Sequence, residues 1–147
     1  MRKRGALKVV PGTATLLVIV LGACERIPSP AELTGNWSAT PESVKLLKGR
    51  LSAPSYSLFL KSDGSAEFEN IPHNLSGTPP GPLLSGLGTW RVTQSSGRTV
   101  VVCTIPSGGR TYGLEFVPLG TSNGPILYQD LTDPDQLERF TYVRRSP

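Results

Sequence analysis

Histidine is nearly absent from this chain: His73 is the single one in 147 residues. A metal centre built on several imidazoles of one chain is therefore excluded. His73 stands beside Pro72 and reads as a surface loop residue. Long apolar runs are also missing. The longest, Val9 to Ala23, covers 15 residues and is broken by Pro11-Gly12, short of the roughly 20 that a helix needs to cross hydrocarbon. Asp130, Asp133 and Asp135 lack the Asp-x-Asp-x-Asp-Gly pattern of a calcium loop, and Asp133-Pro134-Asp135 reads as turn chemistry. Beyond the first eight positions the basic residues are scattered. That excludes the clustered Lys and Arg of a nucleic-acid groove. No internal repeat stands out, and neither a metal nor a cofactor is expected.

What is present begins with an export signal. Arg2, Lys3, Arg4 and Lys8 precede the short apolar run, which ends on small residues. A basic start, a short apolar core and small residues at the break describe a secretory signal peptide over residues 1–23. Leu21-Gly22-Ala23-Cys24 resembles the lipobox of bacterial lipoproteins. That resemblance implies cleavage before Cys24, a diacylglyceryl thioether on its sulfur and an acyl chain on its new amino terminus. Several chains anchor a protein to a membrane far more firmly than one, at about 0.8 kcal/mol per buried methylene. Glu25 to Pro30 would form a short, proline-stiffened tether, within an anchor segment spanning residues 24–32. Glu25, where inner-membrane lipoproteins usually carry Asp, points to the outer membrane of a Gram-negative host. Four of the fifteen basic residues leave with the signal, so eleven remain against eleven acidic ones. With Cys24 lipidated, Cys103 has no disulfide partner. It lies in Val100-Val101-Val102-Cys103-Thr104-Ile105 and reads as a buried small hydrophobe rather than a reactive thiol.

Removing 23 of 147 residues leaves 124, enough for one domain with one core, placed at residues 33–147. Its pattern is short runs of β-formers between turn residues. Strands are expected at Gly35–Thr40, Tyr56–Lys61, Ser65–Asn70, Thr89–Gln94, Arg98–Ile105, Thr111–Val117, Ile126–Leu131 and Leu137–Val143, with a short helix at Pro41–Leu47 after the first. Ser62-Asp63-Gly64, Ser96-Gly97, Ser107-Gly108-Gly109 and Asn123-Gly124 supply turns. The spacing predicts an all-β antiparallel meander of about eight strands, closed as a barrel or packed as a sandwich.

Leu33-Thr34-Gly35-Asn36-Trp37 resembles the Gly-x-Trp signature that opens the first strand of lipocalins and related calycins. The resemblance implies an up-and-down barrel closed at one end by Trp37, with a late arginine, Arg144 or Arg145, laid over that ring as a cation–π lid. The Thr-Asp-Tyr motif of lipocalins is missing, and the polar residues with which avidins hold biotin have no counterparts.

Chemical constellations are weak. Gly120-Thr121-Ser122-Asn123-Gly124 matches Gly-x-Ser-x-Gly, but a strand follows it where a nucleophile elbow needs a helix, so it reads as a hairpin loop. Glu67 and Glu69 share one face of a strand and read as solvated. One segment invites a functional reading: Ile71–Gly88 is long for a connection, yet carries Leu75, Leu83, Leu84 and Leu87. It is expected to fold over the barrel mouth or to present an apolar contact surface, the plain alternative being that these leucines cap the core. The expected function is a non-enzymatic binding or adaptor module, held on the membrane by Cys24, for an envelope protein or a small apolar ligand. The alternatives are a small periplasmic hydrolase and an inhibitor or immunity lipoprotein.

Overall fold

The computed structural model describes residues 26–74, 81–130 and 139–146. The lipobox residues Leu21, Gly22, Ala23 and Cys24, and Leu75 of the long connection, lie outside them.

Alternating side chains dictate the architecture. Each strand of the meander has one apolar face, and an eight-strand sheet with such a face can bury it by curling shut. The strands are β1 (Gly35–Ala39), β2 (Ser57–Leu60), β3 (Ser65–Ile71), β4 (Leu84–Ser95), β5 (Arg98–Ser107), β6 (Arg110–Thr121), β7 (Gly124–Asp130) and β8 (Arg139–Arg144). Among the described residues they pair in sequence order, all antiparallel, and β1 pairs with β8 to close the barrel. Closure rests on three register pairs, Trp37 with Arg144, Ser38 with Val143 and Ala39 with Tyr142. Thr40 and Arg145 extend the seam by donating to the Thr141 and Asn36 carbonyls at 2.9 and 2.8 Å.

Inward residues from all eight strands form one apolar cluster. Trp37, Phe116, Phe140 and Tyr142 are its largest fully buried side chains, each contributing about 1.5–3 kcal/mol by burial. That outweighs the exposed ion pairs of the outer face, such as Lys61 with Glu67 at 2.6 Å, worth about 0–1 kcal/mol apiece. Cys103, fully buried, is part of the cluster, and burial pushes its thiol up to about 12.

Two short helices flank β1. The expected one is α2 (Pro41–Leu46), started by Pro41 and capped by Thr40, whose hydroxyl oxygen accepts from the Ser43 N–H. The Ser43 hydroxyl oxygen in turn accepts from the Thr141 N–H at 2.7 Å, fastening α2 to β8. The other is α1 (Pro30–Leu33), which starts at the last residue of the expected Glu25–Pro30 tether. Its Glu32 carboxylate accepts from both the Ser29 N–H and hydroxyl and pairs with Arg26. The Arg26 carbonyl accepts from the Gly120 N–H at 2.8 Å. Pro28 and Leu33 are buried. The described chain thus crosses one end of the barrel from β6 to β1, docked from Arg26 onward.

A correction concerns β4, which starts at Leu84 rather than Thr89. Gly86 and Gly88 hide the alternation because they occupy inward positions without a side chain. Gly88 is needed there: a Cβ would stand 2.1 Å from the Thr104 carbonyl oxygen and 3.0 Å from the Phe68 ring.

Candidate functional site

An up-and-down barrel sorts its connections between two ends. The connections leaving β1, β3, β5 and β7 emerge together, and we call this the loop end. The opposite, or α1, end carries the crossing segment and the tight turns after β2, β4 and β6.

At the loop end the β1–β2 connection lays Leu47, Leu51 and Ala53 against the core. The β3–β4 connection enters through buried Pro72 and leaves through Leu83. His73 corrects the surface reading. It is half-buried, edge-on to Tyr112 with ring centroids 4.8 Å apart, and its Nδ1 is buried without a hydrogen-bond partner. Gly81 makes this possible, since a Cβ there would stand 2.5 Å from His73 Nδ1, and its N–H donates to the Asn74 carbonyl at 3.1 Å.

The leucines of this region separate. Leu84 is 1% exposed and faces the interior, and Leu83 packs against the core. Leu87 is 71% exposed on the outer face of β4, opposite Glu67. The first two support the mouth from beneath; the third belongs to the barrel wall. Only the stretch between β3 and β4 is connection, shorter than Ile71–Gly88.

Several of the described acidic residues are occupied individually. Glu67 pairs with Lys61, Glu69 accepts from the Ser57 hydroxyl, and Asp63 from the Ser65 N–H and hydroxyl. Asp130 faces Arg98 and Arg139 at 3.4 and 3.7 Å, with Arg139 also over the Tyr128 ring. The Arg26 guanidinium, with help from Ser29, holds the Glu32 carboxyl down at about 2. Among the described residues no group of three His, Cys, Asp or Glu is placed to hold a metal. Gly120–Gly124 forms the hairpin between β6 and β7.

At the α1 end, Trp37 is fully buried and its indole N–H donates to the Leu33 carbonyl at 2.9 Å. Arg144 is the register partner of Trp37, but its guanidinium lies against Gly35 and donates to the Glu32 carbonyl at 3.4 Å. The cation–π contacts among the described residues are Arg139 with Tyr128 and Lys61 with Phe59. The expected arginine lid therefore closes on the glycine of Gly-x-Trp and on the α1 backbone. Comparison of the chain with protein-family models, curated proteins and solved structures finds no match.

Proposed function

We propose that this chain is a bacterial lipoprotein, exported, cleaved before Cys24 and lipid-anchored in the envelope, on the outer membrane if the host is Gram-negative. Its barrel serves as a non-enzymatic binding or adaptor module, with the loop end as its binding face. One observation carries this reading: Arg26, two residues after Cys24, is fixed at the α1 end. An anchor there leaves the loop end pointing away from the membrane, where long connections do the recognising. A stack of aromatic rings, Tyr56–Phe140–Tyr142–Phe116, with successive centroids 5.2–5.9 Å apart, occupies the interior. It supports a protein partner at the loops over a small apolar ligand between the strands.

Two measurements test this. A photo-crosslinking residue at Arg110, on the loop end, should trap a discrete partner in living cells, and one at Asn123, on the α1 end, should not. Adducts at Asn123 alone would overturn the assignment of the binding face. Native mass spectrometry of the extracted protein should show the lipidated chain without further mass. A bound molecule of a few hundred daltons would replace the protein partner with a small ligand.

A further inference from the structure

We infer that the α1 end of the barrel is seated on the bilayer itself, with anionic phospholipid headgroups against Arg144 and Arg145. The inference rests on the lipoprotein reading of Cys24 and adds what the anchor alone does not require, a specific contact between this end and lipid.

Reach comes first. Only Glu25 separates Cys24 from Arg26, whose carbonyl is hydrogen-bonded to Gly120. Two residue steps span at most about 7 Å. The headgroup layer on each side of a bilayer is roughly 5–8 Å thick. The Arg26 edge of the barrel is therefore held within reach of that layer.

What this end displays suits headgroups. Ile27, one residue past the docked Arg26, is 58% exposed. Val143, next to last in β8, is 40% exposed on the outer face, in a cross-strand row with Ile126 and Leu119. Exposed aliphatic side chains near the barrel's end gain by entering the boundary between headgroups and acyl chains. The charges agree. Among the described basic residues of the α1 end, Arg26, Lys61 and Arg98 each face a carboxylate; Arg144 is in ion-pair contact with none, and Arg145 acts on the Glu69 carboxyl only from a distance. Arg144 borders an open groove of about 450 Å³ between Thr34-Gly35 and Leu60–Asp63, where a lipid phosphate would find a guanidinium and hydroxyls. Asp63 in that groove is held by Ser65.

The test uses full-length lipoprotein extracted from membranes and returned to vesicles of phosphatidylcholine, with or without phosphatidylglycerol. A fluorophore is attached at Ile27→Cys, Val143→Cys or, on the loop end, Arg110→Cys, and quenched by lipids carrying a headgroup nitroxide. Quenching should be several-fold stronger at positions 27 and 143 than at 110. Phosphatidylglycerol should raise it further, and Arg145→Glu should abolish that rise. Equal quenching at all three positions with Cys24 shown by mass to be lipidated overturns the seating alone. Quenching that ignores phosphatidylglycerol overturns the role of the arginines, and a Cys24 without lipid overturns the seating and the anchor together.

Discussion

Trp37→Phe is the substitution that most directly probes how the barrel holds its crossing segment. The indole is fully buried and its N–H reaches the Leu33 carbonyl at 2.9 Å. Phenylalanine keeps an aromatic ring but strands that buried acceptor, at a cost of about 1–3 kcal/mol. The smaller ring leaves a void worth about 1 kcal/mol more. The expected loss is thus about 2–4 kcal/mol, or a fall of about 1–2 M in the urea midpoint at a typical slope for small proteins. Trp90→Phe is the internal control. Its indole N–H also meets a carbonyl, that of Lys61 at 2.7 Å, but the residue is 9% exposed at the barrel rim, where water can replace the lost donor. Urea unfolding followed by circular dichroism gives both numbers, and hydrogen exchange reports α1 separately. A Trp37→Phe loss below that of Trp90→Phe, or unchanged protection of the Glu32 and Leu33 amides, would refute the reasoning.

Three further outcomes follow from the same structure. Leu84→Ala should cost about 2–5 kcal/mol as a core truncation and Leu87→Ala no more than about 0.5 kcal/mol; equal effects in thermal melts would contradict their placement. Cys103 should resist thiol reagents at pH 8 in the folded protein and react in urea, and Cys103→Ser should destabilise by about 1–3 kcal/mol through an unmatched buried hydroxyl; rapid native labelling would show the site to be open. Glu32 has its carboxyl lowered from 4.5 to about 2, so its contribution is complete above about pH 4.5 and disappears as pH falls toward 2. Glu32→Gln should therefore reduce exchange protection of Arg26–Leu33 at pH 6 and match the parent at pH 2; a difference unchanged across that range would count against the Arg26–Glu32 clamp.

Most of the barrel was legible because its walls obey a two-residue period. Ala66 and Phe68, Trp90 and Val92, and Phe140 and Tyr142 announce the inward face of β3, β4 and β8, and turn residues mark the ends. Where side chains vanish the signal fails. Leu84–Gly88 reads as loop because two inward positions are glycines, and only the packing of Thr104 and Phe68 around Gly88 shows that a strand must run there. The crossing segment was hidden for a different reason. Ser29-Pro30-Ala31-Glu32 carries a helix-start signal, Pro at the first position and Glu able to reach back to Ser29, but its docking depends on Gly120, far away in sequence. His73 beside Pro72 likewise gives no local sign that Gly81 will let it pack on Tyr112. The overlong connection and its leucines drew attention to the β3–β4 region, but Leu84 and Leu87 belong to the wall, and only the path of the crossing segment shows which barrel end lies beside Arg26.

Cys24 is the point on which the account turns, and the intact mass of the protein extracted from its own envelope tests it most directly. The expected mass is that of a chain beginning at Cys24, lacking the first 23 residues and heavier than its sequence by a diacylglyceryl group and an amide-linked acyl chain. A chain that retains Met1, or one cleaved elsewhere with an unmodified Cys24, would contradict it.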